Sequence, residues 1–433
     1  MSTPPSSQRL ARELGTFGAV MMGLGSIVGT GVFVSIGIAA GITGPAVVAA
    51  VAVGALVATC NGLSSAQLAA NHAVSGGTYE YGYRFLSPVL GFTAGWMYLT
   101  AKSASAATAA LGFSGYLLEV AGVPTDGWLV PLALMGVAVL TAVVYSGLRR
   151  SNVINISIVS LTLFALALFV VTGTPTALAN GTQHFEGFFG APEGDGGWRA
   201  FLYASALMFV AYTGYGRIAT LGEEVRAPRT TIPRAIVVTL LVTMVLYGAV
   251  ALVGVGAVGA DVLSGATGRA SAPLEVAAKL FAAPWVGAVV AIGAITAMLG
   301  VLLNLILGLS RVLLAMGRRA DMPTVFARLD ASGTTPGPAV LMMGSVIAGL
   351  VLIGDVRLTW SFSAFTVLVY YAITNLAALY IPEEGRFFPR WVSVAGLVAC
   401  AGLAFFVDPA IWGVGLGLIA AGLGWHYVAR RQR

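Results

Sequence analysis

The sequence predicts an all-α integral membrane protein of about twelve transmembrane helices. Three observations carry that prediction. Of 433 residues, 58% are hydrophobic and only 9% are charged, and mean hydropathy is +0.90, whereas a soluble domain carries about a quarter charged residues. The apolar residues recur in stretches of spanning length, about 20 residues each. Two of those stretches are interrupted near their centres by glycine clusters, which is unusual for a helix that has to satisfy its own backbone in hydrocarbon.

Span 1 covers 17–40 and holds Gly25-Ser26-Ile27-Val28-Gly29-Thr30-Gly31-Val32-Phe33. Glycine weakens a helix by roughly 1 kcal/mol per residue relative to alanine, so the cluster favours a break midway through the membrane. Peptide groups freed at that depth are tolerated only where protein or a water-filled cavity covers them. Such a break can hold a small polar ligand, and the same glycines would also serve close helix packing. Spans 2 to 5, at 44–68, 88–118, 128–148 and 153–173, run without a comparable cluster, and the third carries Lys102. Span 6, at 199–221, repeats the anomaly in Ala211-Tyr212-Thr213-Gly214-Tyr215-Gly216-Arg217. Spans 7 to 12 follow at 235–258, 285–316, 338–354, 358–380, 391–407 and 409–428. The long loops are 174–198, 259–284 and 317–337, and Ala272–Ala283 is expected as a short surface helix in the second of them.

Basic residues set the orientation. With the N-terminus in the cytoplasm, 17 Lys and Arg fall on inside segments and 4 on outside segments, while Lys102 and Arg217 lie within spans. Both termini are therefore expected inside, as a cytoplasmic segment 1–16 and a basic tail 429–433. The net charge of +6 is this asymmetry and makes no case for nucleic acid. Six of the eight tryptophans, Trp128, Trp198, Trp285, Trp360, Trp391 and Trp412, lie near the start of a span, as an interfacial belt requires. The opening Met1–Ser7 lacks a signal-peptide n-region, so the first helix is expected to stay in the membrane. The bias of 21 arginines to 2 lysines, with abundant alanine and glycine, points to a GC-rich prokaryotic genome and hence to the plasma membrane. Cys60 and Cys400 read as packing residues, and His72, His184 and His426 have no metal-ligand spacing. No phosphate loop, nucleophile elbow, dinucleotide fingerprint or HExxH occurs, so neither an enzyme nor a cofactor is expected. The sequence sets no oligomeric state.

Interrupted spans at corresponding positions of two halves point to an inverted repeat with a midplane site. The repeats would be 17–174 and 199–380, with 391–428 outside them. The residues also carry a family pattern. The first glycine cluster, the loop His72-Ala73-Val74-Ser75-Gly76-Gly77-Thr78-Tyr79 leading to Gly91 and Gly95-Trp96, and the segment from Gly222 through Pro228 to Arg234 resemble the amino acid–polyamine–organocation permeases. Ser310-Arg311, the run Met316–Pro323 and Thr335-Pro336 match as well. The resemblance covers nearly the whole chain in order, and it implies the five-plus-five inverted repeat.

A zwitterionic amino acid presents a carboxylate and an ammonium a few ångström apart. A helix N-terminus suits the carboxylate and helix C-terminal carbonyls suit the ammonium. By the resemblance, Gly29, Thr30 and Gly31 would meet the carboxylate, and the carbonyls of Ile27, Val210, Ala211 and Thr213 the amino group. Tyr212 and Tyr215 flank the second break and would either close over a bound side chain or pack as ordinary aromatics. Asn304 is the one conventional polar side chain from Ala297 to Leu309, so its amide needs substrate, water or a neighbouring helix as partner. Lys102 would either exchange a proton during transport or sit paired with a helix carbonyl, or snorkel to an interface. Arg217 faces the same choice, next to Gly216, where some family members carry an acidic residue. Glu223 and Glu224, facing Arg226, Arg229 and Arg234, would form a cytoplasmic gate or ordinary interfacial ion pairs.

Coupling shows two departures from relatives. Some proton-coupled ones place a lysine where this chain has Thr162, and sodium-coupled ones use a hydroxyl pair where it has Gly300 and Val301. Proton symport or exchange is therefore favoured over sodium coupling. The expectation is a secondary amino acid transporter in the lipid bilayer working by alternating access. No span centre contains Asp or Glu, which argues against cationic cargo and for neutral amino acids. A polyamine, nucleobase or thio-sugar on the same machine, or a ligand-sensing receptor, are the rivals.

Overall fold

A computed structural model describes residues 15–72, 76–147, 152–189, 197–219, 225–330 and 333–431. The regular structure among them is helical, with no β-strand. The first apolar stretch is not one helix but three pieces, α1 (Thr16–Ile27), the single turn α2 (Thr30–Phe33) and α3 (Ser35–Thr43). They lead to α4 (Val47–Asn71), the short amphipathic α5 (Thr78–Phe85) and the 34-residue α6 (Pro88–Ala121). Next come α7 (Leu129–Tyr145) and α8 (Asn152–Asn180). The sixth apolar stretch is also divided, into α9 (Gly197–Tyr212), a tightened 3-10 turn at Thr213–Tyr215, and α10 (Gly216–Ala219). Then follow α11 (Pro228–Val258), α12 (Ala260–Ala270), α13 (Pro273–Lys279) and α14 (Val286–Arg318). The chain ends with α15 (Gly337–Val351), α16 (Val356–Leu379), α17 (Arg390–Ala404) and α18 (Pro409–Arg431). Six helical segments, 30–71, 153–180, 228–258, 286–318, 356–379 and 409–431, are long and apolar enough to cross a membrane by length and composition.

Local chemistry explains several boundaries. Pro88, Pro228 and Pro273 stand in first turns, where a missing N–H removes no helical bond. Asp355 caps α16 by accepting from the amides of Arg357 and Leu358. The stretch Ala101–Ala110 of α6 is built of alanine, serine, threonine and one lysine and is buried throughout. Small side chains let α14 and α16 both pack closely along it. A second group joins α1, α4, α9 and α11. Polar side chains tie α4, α16 and α17 together: Ser64 and Ser393 hydroxyls lie 2.9 Å apart, Asn375 donates to Asn61, and Asn61 donates to Cys400 Sγ at 3.1 Å. Cys60 and Cys400 are both free thiols.

Two expectations need correction. The segment Ala272–Ala283 does form a helix, but Pro273, Leu274, Glu275, Ala277 and Ala278 are buried, so it is a packed cover and not a surface helix. An unexpected companion, α12, lies against α3, where Gly37 admits Leu263 and Pro273. Their buried faces are mostly alanine, with Thr267, Pro273 and one leucine each, Leu263 and Leu274, and so weak a pattern gives no sign of the helices that cover it. Trp360 is the second correction, because it is 3% exposed and donates to the Leu207 carbonyl at 3.1 Å. It belongs to the interior, whereas Trp128, Trp198, Trp285 and Trp391 are exposed as a belt would be.

At the end of α14, fully buried Asp321 accepts hydroxyls from Tyr79 at 2.7 Å and Tyr83 at 2.5 Å. His426 of α18 lies 3.6 Å from the same carboxylate and stacks on Phe92. Burial, and then the adjacent carboxylate, push both tyrosine hydroxyls above their ordinary range. The cluster locks α5, the α14 terminus and α18 to one another.

Candidate functional site

The two interruptions meet. Helix α1 stops because Val28 turns extended (φ −78°, ψ 105°), and Gly29 carries the chain to a new start at Thr30. The opening turn leaves the amides of Thr30 and Gly31 without helical acceptors and places the positive end of a helix dipole there. On the other side, α9 gives way to the 3-10 turn at Thr213. A Cβ on Gly31 would stand 2.8 Å from both Cα and Cβ of Ala211, and one on Gly214 would strike the Ser26 carbonyl and lie 2.6 Å from Ile27 Cγ1. These glycines serve both proposed purposes, since they permit the break and let the two breaks touch.

A small chamber of about 40 Å³ sits at the meeting point, lined by Thr30 and Gly31 from one break, Val210, Ala211 and Thr213 from the other, and Lys102, Ser105 and Trp360 across from them. Ser26, Lys102, Thr213, Gly214, Val301 and Leu305 are shared with a much larger cavity of about 950 Å³. That cavity runs past Asn304, Gly308 and Arg311 and reaches Glu80, Arg318, Arg319 and Thr334. The chamber admits only a few water molecules, but the cavity is large enough for a small organic solute.

The polar groups around the breaks are largely paired. Tyr247 donates to the Ile27 carbonyl at 2.9 Å, Tyr371 to the Thr213 carbonyl at 3.0 Å, and the Thr213 hydroxyl to the Val210 carbonyl at 2.8 Å. The Ile27 and Val210 carbonyls each keep a second lone pair, whereas that of Thr213 also accepts from the Gly216 amide. Lys102 Nζ donates to Thr213 Oγ1 at 2.8 Å. The Thr30 hydroxyl is buried and has no partner.

The sequence profile of the amino acid permease family matches residues 18–430. The chain belongs to the amino acid permease family. It is 39% identical over 423 residues to an uncharacterised transporter of Mycobacterium tuberculosis, covering 97% of this chain and 92% of the relative. It is also similar to a branched-chain amino acid permease of Bacillus subtilis, at 27% identity over 91% of this chain and 86% of that one. A methylthioribose transporter of the same organism shows 28% identity over 81% and 77%. Family and relatives are permeases and transporters, not enzymes, and with its apolar helices this chain is a multi-pass membrane protein.

In this permease the structure gathers Ile27, Thr30, Gly31, Val210, Ala211 and Thr213 around one chamber. Gly29 lies just behind it, where a Cβ would stand 2.7 Å from Val301. Asn304 lines the larger cavity and reaches the Gly25 carbonyl at 3.4 Å, a long tie between α14 and α1. Lys102 neither pairs with a carbonyl nor snorkels, because it ends at the second break. Arg217 lines the cavity. Tyr212 and Tyr215 are not brought to either cavity wall; they are fully buried, Tyr212 beside Tyr247 at 5.0 Å and Tyr215 beside Tyr371 at 5.5 Å between ring centroids. Glu223 and Glu224 lie outside the described residues. Tyr98, Ser105, Tyr247 and Tyr371 were not singled out from the sequence, and Trp360 was assigned to the interfacial belt instead. Nothing marks them there, since an aromatic or hydroxyl residue in an apolar helix shows no sign of which distant break it will reach.

Proposed function

We propose that this permease is a secondary transporter that moves amino acids across the plasma membrane by alternating access, with the cargo held between the two breaks. The observation that carries the reading is the contact of two interrupted helices around a small chamber that shares part of its wall with a large cavity. The cargo carboxylate would meet the opening turn at Gly29, Thr30 and Gly31, where the orphaned Thr30 hydroxyl supplies a further donor. Its ammonium would face the carbonyls of Ile27, Val210 and Ala211, beside that of Thr213, which Tyr371 and the Gly216 amide already share. Asn304 would complete the polar wall.

The proposed architecture is a five-plus-five inverted repeat, 17–174 and 199–380, with two additional helices in 391–428. The group α1, α4, α9 and α11, packed together here, would rock against the remainder. With both termini cytoplasmic, the large cavity opens inward, and α12 and α13 close the outer end over α3 and α14. Lys102 and Arg217 are charged groups on the cavity wall and, with Tyr215, which packs on Tyr371, the candidates for coupling; Glu223 and Glu224, next in the sequence, are the candidate gate. Proton symport or exchange is proposed over sodium coupling, because the α14 residue facing Gly29 is Val301, which offers no hydroxyl.

The one acidic residue on the cavity wall among the described residues is Glu80, and it is committed to Arg319 at 2.7 Å. Cationic side chains are therefore disfavoured, which leaves neutral or acidic ones. The branched-chain permease relative fits neutral cargo, and the methylthioribose relative favours a thio-sugar as the second reading. Counterflow in proteoliposomes with all common amino acids plus methylthioribose, at two pH values and with and without sodium, tests the proposal. Saturable exchange of an amino acid supports it, and exchange of methylthioribose alone transfers the site to the second reading. Binding without accumulation would assign a receptor.

A further inference from the structure

Lys102 lies at the centre of α6, 8% exposed, and lines both cavities. Its ammonium has three donors and makes one hydrogen bond, to Thr213 Oγ1 at 2.8 Å. No carboxylate among the described residues pairs with it, and Glu80, the acidic residue on the wall, is held by Arg319. An ammonium at this depth is costly unless something neutralises it. The walls it shares carry hydroxyls and aromatic rings, Ser26, Ser105, Thr213, Tyr98 and Tyr371, and the guanidinium of Arg217. None of these can supply negative charge at neutral pH.

The small chamber therefore has a surplus of donors. The Thr30 hydroxyl on one wall lacks a partner, and two ammonium protons remain on the other. If the cargo carboxylate meets the turn at Thr30, a cargo with no other charge than its ammonium brings that ammonium up against Lys102, like charge to like charge. A second carboxylate on the cargo removes the conflict, because it can take the free ammonium protons. We infer that the cargo is a dicarboxylic amino acid, with an acidic side chain, and that Lys102 is the residue that selects it. This rests on the reading of the two breaks as the substrate site.

The test uses pairs that differ in charge and hardly in shape: glutamate against glutamine, and aspartate against asparagine. Counterflow with purified full-length protein in proteoliposomes gives the apparent affinity for each. The wild type should prefer the acidic member of at least one pair by about tenfold or more, the worth of one charge-assisted hydrogen bond. Lys102→Met should erase that preference, a change on the order of 10- to 100-fold in the ratio, while Lys102→Arg keeps its direction. Preference for the amide member of both pairs in the wild type overturns the inference, whether or not the variants fold. An acidic preference that survives Lys102→Met in monodisperse protein overturns the role of Lys102. Exchange of neutral amino acids alone sinks only the charge assignment, whereas no exchange of any amino acid sinks the transport reading with it.

Discussion

The most direct perturbation is one methyl group at the meeting point of the breaks, Gly31→Ala. The added Cβ would lie 2.8 Å from Cα and Cβ of Ala211 and 3.0 Å from its carbonyl oxygen. That is roughly 1 Å inside ordinary carbon–carbon contact, and backbone atoms cannot swing aside as a flexible side chain does. The first and second breaks must separate, or one must reshape. Overpacking of this kind costs about 1–3 kcal/mol, equivalent to between about 5- and 150-fold in an equilibrium constant. The penalty falls on the conformation in which the breaks touch, so exchange should fall within that range. Gly248→Ala is the control, since nothing lies within 4 Å of a Cβ there. It should leave transport unchanged and slightly favour the helix. Counterflow at matched reconstituted protein, with elution profiles to confirm folding, reads both. Wild-type exchange by Gly31→Ala would refute the close contact as a functional feature.

Thr30→Val keeps the shape but removes the unpartnered hydroxyl, so melting temperature should hold or rise while apparent substrate affinity drops about two- to tenfold. Unchanged affinity would show that the hydroxyl does not meet the cargo. Asp321→Ala strands two tyrosine hydroxyls around a buried site and should destabilise the detergent-solubilised protein by about 2 kcal/mol or more, read as a clear fall in melting temperature. Burial raises the Glu275 carboxyl of α13 to about 7, against the opposing pull of Lys279. A raised carboxyl favours the protonated fold, so its stabilisation is complete below about pH 4.5 and is lost as pH rises through about 7. Melting temperature should decline over that window, and Glu275→Gln should flatten the decline. Removing sodium should leave exchange unaltered, and strict sodium dependence would contradict the placement of Val301 at the first break.

Much of this molecule is written locally. Apolar stretches fell on helices because lipid admits few other solutions for the backbone, and the glycine clusters at 25–31 and 214–216 marked where those helices stop. What stayed hidden depended on pairing at a distance. The hydroxyls that occupy the carbonyls of Ile27 and Thr213 come from Tyr247 and Tyr371, 220 and 158 residues away in sequence. Tyr212 and Tyr215, adjacent to the break in sequence, point into packing, because a helix turns successive side chains by a fixed angle and only the neighbours decide which face is the cavity. The sequence showed a helix near α13 but neither its burial nor α12, for a related reason: a face built mostly of small residues separates a packed cover from a surface segment only once its partner helices are in place.

By itself, then, the sequence determined the membrane, the helical class, the family and the positions of both breaks, all of which follow from composition and short-range backbone energetics. Only the tertiary structure decided that the breaks touch, that a cavity runs from them to Glu80, Arg319 and Thr334, and that the Lys102 ammonium ends at Thr213. Those outcomes depend on how helices far apart in the chain are juxtaposed, and spacing along one chain carries no record of that.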